Sequence, residues 1–122
     1  MALSLADEKK ALIDLMSRTS LEVTPGGAAK VDDFSQIVRS QCTIYVTFLP
    51  GSDFVDTLNT VRRLKTEGFN PVPHFAARSI VSAEILEKNL QALQNEGITE
   101  ALLIGGGVDP VSYTHLTLPT KA

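Results

Sequence analysis

Apolar residues recur along this chain in two patterns, as short continuous runs and as longer stretches with helical spacing. The short runs cover about 19–23, 43–48, 69–75 and 101–104, and they predict four β-strands. The first three runs follow one another at a step of roughly 25 residues, enough for one helix and two loops, which is the crossover that parallel strands require. The pattern therefore predicts repeated αβ units around a parallel sheet.

Apolar residues spaced three and four apart predict the helices of these units. The first helix begins at Ser4 or Asp7, and a short second helix covers 32–38. The third begins at Ser52, and the fourth at Ser79 or Ser82. The expected apolar stripes are Leu12, Ile13, Leu15 and Met16 in the first, Val55, Leu58, Val61 and Leu64 in the third, and Leu86, Leu90 and Leu93 in the fourth.

Two helix exits have the same sequence signature. Residues 64–69 and 93–98 both read leucine, two variable residues, glutamate, glycine and an apolar residue. A glycine just past the last helical residue ends a helix at low cost, because it tolerates the left-handed backbone conformation. The matching exits favour short, similar loops between consecutive units.

Two local features complete the outline. The run at 43–48 is unbroken rather than alternating, which is typical of a strand buried on both faces. Pro25-Gly26-Gly27 predicts a tight turn that continues neither regular structure.

Composition narrows the function classes. The chain has 122 residues, 43% of them apolar, and a net charge of −3 with no basic stripe, so we expect one domain and no nucleic-acid partner. No apolar run approaches the length of a membrane span, and the N-terminus turns polar too early for a secretory signal. We therefore expect no membrane partner and a cytoplasmic location. The single Cys42 and the scarcity of histidine leave no ligand set for a metal.

The strand count divides the chain into two parts. Residues 1–111 hold about four βα units preceded by a helix, which is half of the eight-stranded barrel that usually takes about 250 residues. Residues 112–122 resemble a string found at the ends of unrelated translated environmental sequences, where adapter read-through is the source. We expect this tail to be artefactual, and His115 within it receives no functional role.

Groups capable of chemistry follow the predicted strands. Glu22, Thr47 and His74 lie at the ends of the first three, where α/β barrels keep their catalytic residues. Glu22 would be a general acid if it entered a dry pocket, although a salt bridge at a strand end is an equal alternative. His74 could donate to a ligand, but a buried histidine with satisfied hydrogen bonds is the more common role of such a residue. Thr47 gains a role only if the second strand ends at the site.

A glycine-rich segment follows the fourth strand. Gly105-Gly106-Gly107 could let backbone N–H groups approach a phosphate or a flat ring, and Asp109 beyond it could pair with a ligand. The segment lacks the dinucleotide-binding fingerprint, so a plain glycine turn with a capping aspartate is the alternative.

Taken in order, these segments resemble the N-terminal half of methylenetetrahydrofolate reductases. Residues 20–25 resemble that family's first-strand motif, in which Ser-Phe-Glu precedes aromatic residues and prolines. Residues 44–48 resemble the second strand, which ends in Val-Thr and an aromatic residue, and 72–75 resemble the third, with Pro-His. Residues 97–104 resemble the fourth. The resemblance covers about residues 12–111.

The resemblance implies an α/β class protein with a partial TIM-type (β/α)8 barrel that binds FAD. Such enzymes pass a hydride from NADH or NADPH to the flavin and then to the methylene carbon of the folate substrate, in the one-carbon metabolism that serves methionine biosynthesis. By resemblance, Glu22 is the general acid that protonates the folate. Thr47 and His74 contact the flavin, and Gly106 and Asp109 complete the cofactor site. The full-length protein would be a homo-oligomer.

The chain also departs from the family pattern. The family's Arg-Gly-Asp after the fourth strand is replaced by Gly105-Gly106-Gly107-Val108-Asp109, which shifts the aspartate by two positions. Val23-Thr24 replaces the aromatic pair after the glutamate. These departures indicate a divergent branch. Two other readings stay open, a flavin-free folate-binding or methyl-transfer barrel and a fragment without activity of its own.

Overall fold

The computed structural model describes residues 3–109 of the chain. The predicted tail at 112–122 lies outside the described residues. The helices are α1 (Leu5–Met16), α2 (Pro25–Ala28), α3 (Phe54–Thr66) and α4 (Ala83–Asn95), and the strands are β1 (Leu21–Val23), β2 (Thr43–Val46), β3 (Asn70–Ala76) and β4 (Leu102–Ile104). Short 3₁₀ turns occupy Phe34–Gln36 and Ala77–Ser79.

The four strands form one parallel sheet in the order β1-β2-β3-β4. This arrangement confirms the predicted mixed α/β class with parallel strands joined by crossovers. The register pairs Glu22 with Tyr45, Tyr45 with Val72, and His74 with Leu102. Because all three pairings are parallel, the carboxyl ends of the four strands lie along one edge of the sheet.

The largest hydrophobic cluster lies on one face of the sheet. Ile44 and Val46 of β2 are fully buried and cluster with Val61 and Leu64 of α3. Since successive side chains on a strand point to opposite faces, Tyr45 belongs to the other face. The predicted burial of β2 on both faces is wrong for this reason. Its burial alternates, because the helices cover one face and the described residues leave Tyr45 half-buried on the other.

The helix exits confirm the predicted glycine caps. Gly68 and Gly97 have positive φ, and each comes directly after the C-cap residue of its helix, Glu67 in α3 and Glu96 in α4. The N–H of Phe69 bonds to the carbonyl of Leu64, and the N–H of Ile98 bonds to that of Leu93, both at 3.0 Å. Each exit is therefore a Schellman motif, with the glycine N–H bonded one residue further along the helix.

Two predictions of local structure are corrected. Pro25-Gly26-Gly27 starts the one-turn helix α2, because proline suits the first helical position and the Thr24 hydroxyl accepts a hydrogen bond from the N–H of Gly27 at 2.9 Å. Ser52 does not cap α3. Its hydroxyl donates to the carbonyl of Leu49, and Asp53 takes the cap position without a side-chain bond.

α1 is the least embedded element. Ser4, one of the two predicted caps, begins the helix, but none of the side chains of α1 is buried and its apolar stripe is exposed. Within residues 3–109, no helix combines the length and the apolar character needed to cross a membrane.

Candidate functional site

The sheet face away from the core brings three polar side chains together. Glu22 on β1 and Tyr45 on β2 are register partners, and His74 on β3 lies two residues beyond Val72, the partner of Tyr45. Alternation along the strands places all three on the same face. Residues separated by about 50 positions in sequence therefore share one small area near the carboxyl ends of the strands.

Glu22 and His74 face each other across β2. The Oε1 atom of Glu22 lies 3.6 Å from Nε2 of His74, an ion-pair distance that is longer than a hydrogen bond. The carboxylate side chain is 61% exposed, whereas the imidazole side chain is only 7% exposed. The pair thus joins an accessible acid to a buried base.

His74 holds two buried nitrogens without hydrogen-bond partners, Nδ1 and Nε2. Its ring lies 5.7 Å from the ring of Tyr45, tilted by 52°. Burying a polar group without a partner costs free energy, so such a group is expected to serve a purpose. The alternative of a histidine with satisfied hydrogen bonds does not describe His74.

Thr47 continues the same face just past the end of β2. Its backbone N–H donates a 2.8 Å hydrogen bond to the carbonyl of Val23, which extends the pairing of β1 with β2. Thr47 is two residues after Tyr45 and half-buried. Its position agrees with the predicted placement at the strand end.

Gly106 lies in a turn held by Arg78. The Arg78 guanidinium donates to the carbonyl of Gly106 at 3.0 Å, and the Arg78 backbone N–H donates to the carbonyl of Gly105 at 3.1 Å. Gly106 has a φ of 95°, and a Cβ there would lie 3.4 Å from Cβ of Ala76. Both the backbone conformation and the close approach to β3 explain the glycine at this position.

Asp109 lies apart from the Glu22–His74 pair. It is exposed and lines an open cavity of about 580 Å³ between the segments that follow β2, β3 and β4, together with Phe48, Pro50, Gly51, Ser52, Ser79, Val81 and Val108. Within residues 3–109, no hydrogen bond, ion pair or ring contact joins Asp109 or Gly106 to Glu22 or His74. The structure therefore brings Glu22 and His74 into contact and leaves Gly106 and Asp109 on neighbouring loops.

Sequence reasoning missed Tyr45 and Arg78. Tyr45 could be found once the register is known, because it is two residues before Thr47 and shares its face. No sequence pattern indicates a role for Arg78, because its bond to Gly106 depends on where the chain turns after β3. The part of the chain that the structure describes contains no group of three or more His, Cys, Asp or Glu side chains placed to hold a metal.

The chain matches no protein-family model. An exposed carboxylate beside a buried imidazole can give a proton to, or accept one from, a molecule lying on this face.

Proposed function

We propose that residues 1–111 are the N-terminal half of a (β/α)8 barrel in a flavin-dependent oxidoreductase. The proposed reaction converts 5,10-methylenetetrahydrofolate to 5-methyltetrahydrofolate with a nicotinamide donor. The observation that supports it most is the meeting of Glu22 and His74, which come from non-adjacent strands, on the face away from the core. In a barrel this face is the interior, and its edge at the strand ends carries the chemistry.

Glu22 has the accessibility that a general acid needs. Its carboxyl group is exposed on the open face, so it can reach a substrate lying across β1 and β2. The proposed role is to deliver a proton to the folate nitrogen that leaves when the five-membered ring opens. A second half of the barrel would cover this face and exclude water from the acid.

The residues on and beside this face fit a flat cofactor. Thr47 offers a hydroxyl at the end of β2, and Gly106 presents backbone without a side chain beside Ala76. Asp109 lines the adjoining cavity. Both ring nitrogens of His74 are shielded, so its ring would meet the flavin through van der Waals contact. When bound, FAD would carry the hydride from the nicotinamide to the folate.

The test uses the longer protein that a complete barrel requires, carrying residues 1–111 as its first half. We expect it to purify with flavin absorbance and to reduce methylenetetrahydrofolate. Glu22→Gln should lower folate turnover by about 10²-fold or more, the usual contribution of a general acid, while the nicotinamide still reduces the flavin at the wild-type rate. Glu87→Gln, an exposed glutamate on α4, is the matched control and should change neither rate.

Two outcomes would contradict the proposal. Full folate turnover in Glu22→Gln would remove Glu22 from the reaction. Tight folate binding by a protein without flavin absorbance would instead favour a flavin-free folate or methyl-transfer barrel.

A further inference from the structure

The His74 imidazole is the most unusual group in the described part of the chain. It is more than nine-tenths buried, and neither of its ring nitrogens has a hydrogen-bond partner. A purely structural residue at this position would be favoured as an apolar side chain, because an unsatisfied buried polar group destabilises the fold. We therefore expect the ring to form a hydrogen bond with a mobile group that is not in bonding position in this structure.

Glu22 is the side chain that can move to it. Its Oε1 atom is 3.6 Å from Nε2 of His74, so a displacement of about half an ångström would bring the two atoms within hydrogen-bond distance. The carboxylate is mostly exposed and can rotate, whereas the buried ring is confined between neighbouring strands. Glu22 can thus alternate between the imidazole and the open face.

The surroundings of His74 contain few competing groups. Tyr45 on β2 stacks obliquely against the ring, and Leu102 is its register partner on β4. Among residues 3–109, the titratable side chains recorded against the imidazole are Glu22 and Tyr45. Glu22 is therefore the nearest group that can carry a proton between the imidazole and the open face.

We propose that His74 is a proton reservoir for Glu22. While the face is open, Glu22 takes a proton from solvent and passes it to the Nε2 lone pair, and Glu22 then takes a second proton from solvent. Once a substrate covers the face and Glu22 has given up its own proton, the Nε2–H bond breaks as an O–H bond forms on Glu22. An imidazolium and a carboxylate thereby become a neutral imidazole and a carboxylic acid. The identity of the proton acceptor rests on the proposed function, whereas the exchange within the pair does not.

The exchange can be measured by NMR in the 122-residue chain, at a concentration where size-exclusion chromatography shows a monomer. Proton sharing couples the titrations of two groups, so the ring signals of His74 should change in two steps with pH. In Glu22→Gln they should change in a single step. A His115→Gln variant assigns the signals, because the chain has two histidines. A single step in the wild-type chain, matching that of Glu22→Gln, would overturn the relay.

Catalysis by the longer protein provides the second test. His74→Ala should lower folate turnover by about tenfold or more and narrow its pH range, and added imidazole should restore both by filling the vacated space. Imidazole should not restore Glu22→Gln. If the NMR titration shows coupling and no folate is reduced, the proposed function fails and the relay stands. If folate turns over normally in His74→Ala, the relay fails and the function stands.

Discussion

Lys65 and Gly97 link the ends of two successive helices. The Nζ atom of Lys65, in the last turn of α3, donates a 2.7 Å hydrogen bond to the carbonyl oxygen of Gly97, just past the end of α4. This contact adds a lateral tie to two exits that already share the same Schellman geometry. The junctions where helices turn back towards the sheet are therefore fixed by backbone conformation and by one long side chain.

Replacing either exit glycine with alanine should destabilise the fold. Gly68→Ala and Gly97→Ala place a Cβ on residues with φ of 91° and 76°, which costs about 1 kcal/mol each. The alanine Cβ at position 97 would also lie 2.8 Å from Nζ of Lys65, but that atom ends a flexible side chain that can move away at little cost, so the two variants should lose similar amounts. Urea unfolding measures the free energy of unfolding of each variant relative to the wild type. Gly107→Ala, at an open position without positive φ, is the control, and an equal loss there would contradict the argument.

Arg63 should be hard to replace with lysine. Its guanidinium lies 5.1 Å from the ring centroid of Phe34 and donates to the carbonyls of Ala28 and Val31, so it fastens the segment after β1 to α3. A lysine ammonium cannot reproduce this planar set of bonds. We expect Arg63→Lys to lower the free energy of unfolding by about 1–3 kcal/mol.

The neighbouring Arg62 provides the comparison for that variant. Its guanidinium bonds to Glu96 at the protein surface, where ion pairs contribute little. Arg62→Lys should therefore unfold at nearly the wild-type urea concentration. If Arg62→Lys and Arg63→Lys lost equal amounts of unfolding free energy, the bonds from the Arg63 guanidinium to the carbonyls of Ala28 and Val31 would not be what stabilises the fold.

Acid should remove a small part of the stability through Glu96. The hydrogen bond from Arg62 lowers the pKa of the Glu96 carboxyl below its ordinary value of 4.5. A group whose pKa is lower in the folded state stabilises that state above the unfolded-state pKa and loses this effect as pH falls through the folded-state pKa. Unfolding measured across this acidic range should therefore show a shallower loss in Glu96→Gln than in the wild type. Identical slopes would mean that the pair contributes nothing.

The isolated chain should self-associate. Leu102 and Leu103 on β4 are 41% and 39% exposed, and among residues 3–109 no strand pairs with the outer edge of β4. An unpaired strand edge pairs readily with another chain. Size-exclusion chromatography should show larger species as concentration rises. Lysine at both positions should reduce them, whereas Ile37→Lys, at an exposed apolar residue away from the sheet, should not. A concentration-independent monomer would contradict this expectation.

Local signals in the sequence predicted most of the elements. The glycine exits at Gly68 and Gly97 and the Ser82 cap are decided by one or two residues each, so they could be predicted from the chain alone. The burial of β2 could not, because it depends on what covers the second face of the sheet. The helix at Pro25 was missed because the Thr24 cap and the proline together outweigh the two glycines.

The candidate site was predictable only in part. The strand-end positions of Glu22 and His74 followed from the apolar runs, but their 3.6 Å contact needed the register of three strands. Tyr45 between them could be identified only from that register. The Arg78 bond to Gly106 joins two loops whose paths no local pattern fixes.

The exposed first helix has a practical consequence. The side chains of α1 make only local hydrogen bonds among the described residues. The chain is first joined to the rest of the fold at Thr19, whose carbonyl accepts a 2.8 Å hydrogen bond from Arg39. A protease that cut after Ser17 would release a peptide in which residues 3–17 contain no buried side chain. Limited digestion should thus trim the protein to a stable remainder that begins at the sheet, and the helix offers a removable site for attaching a probe.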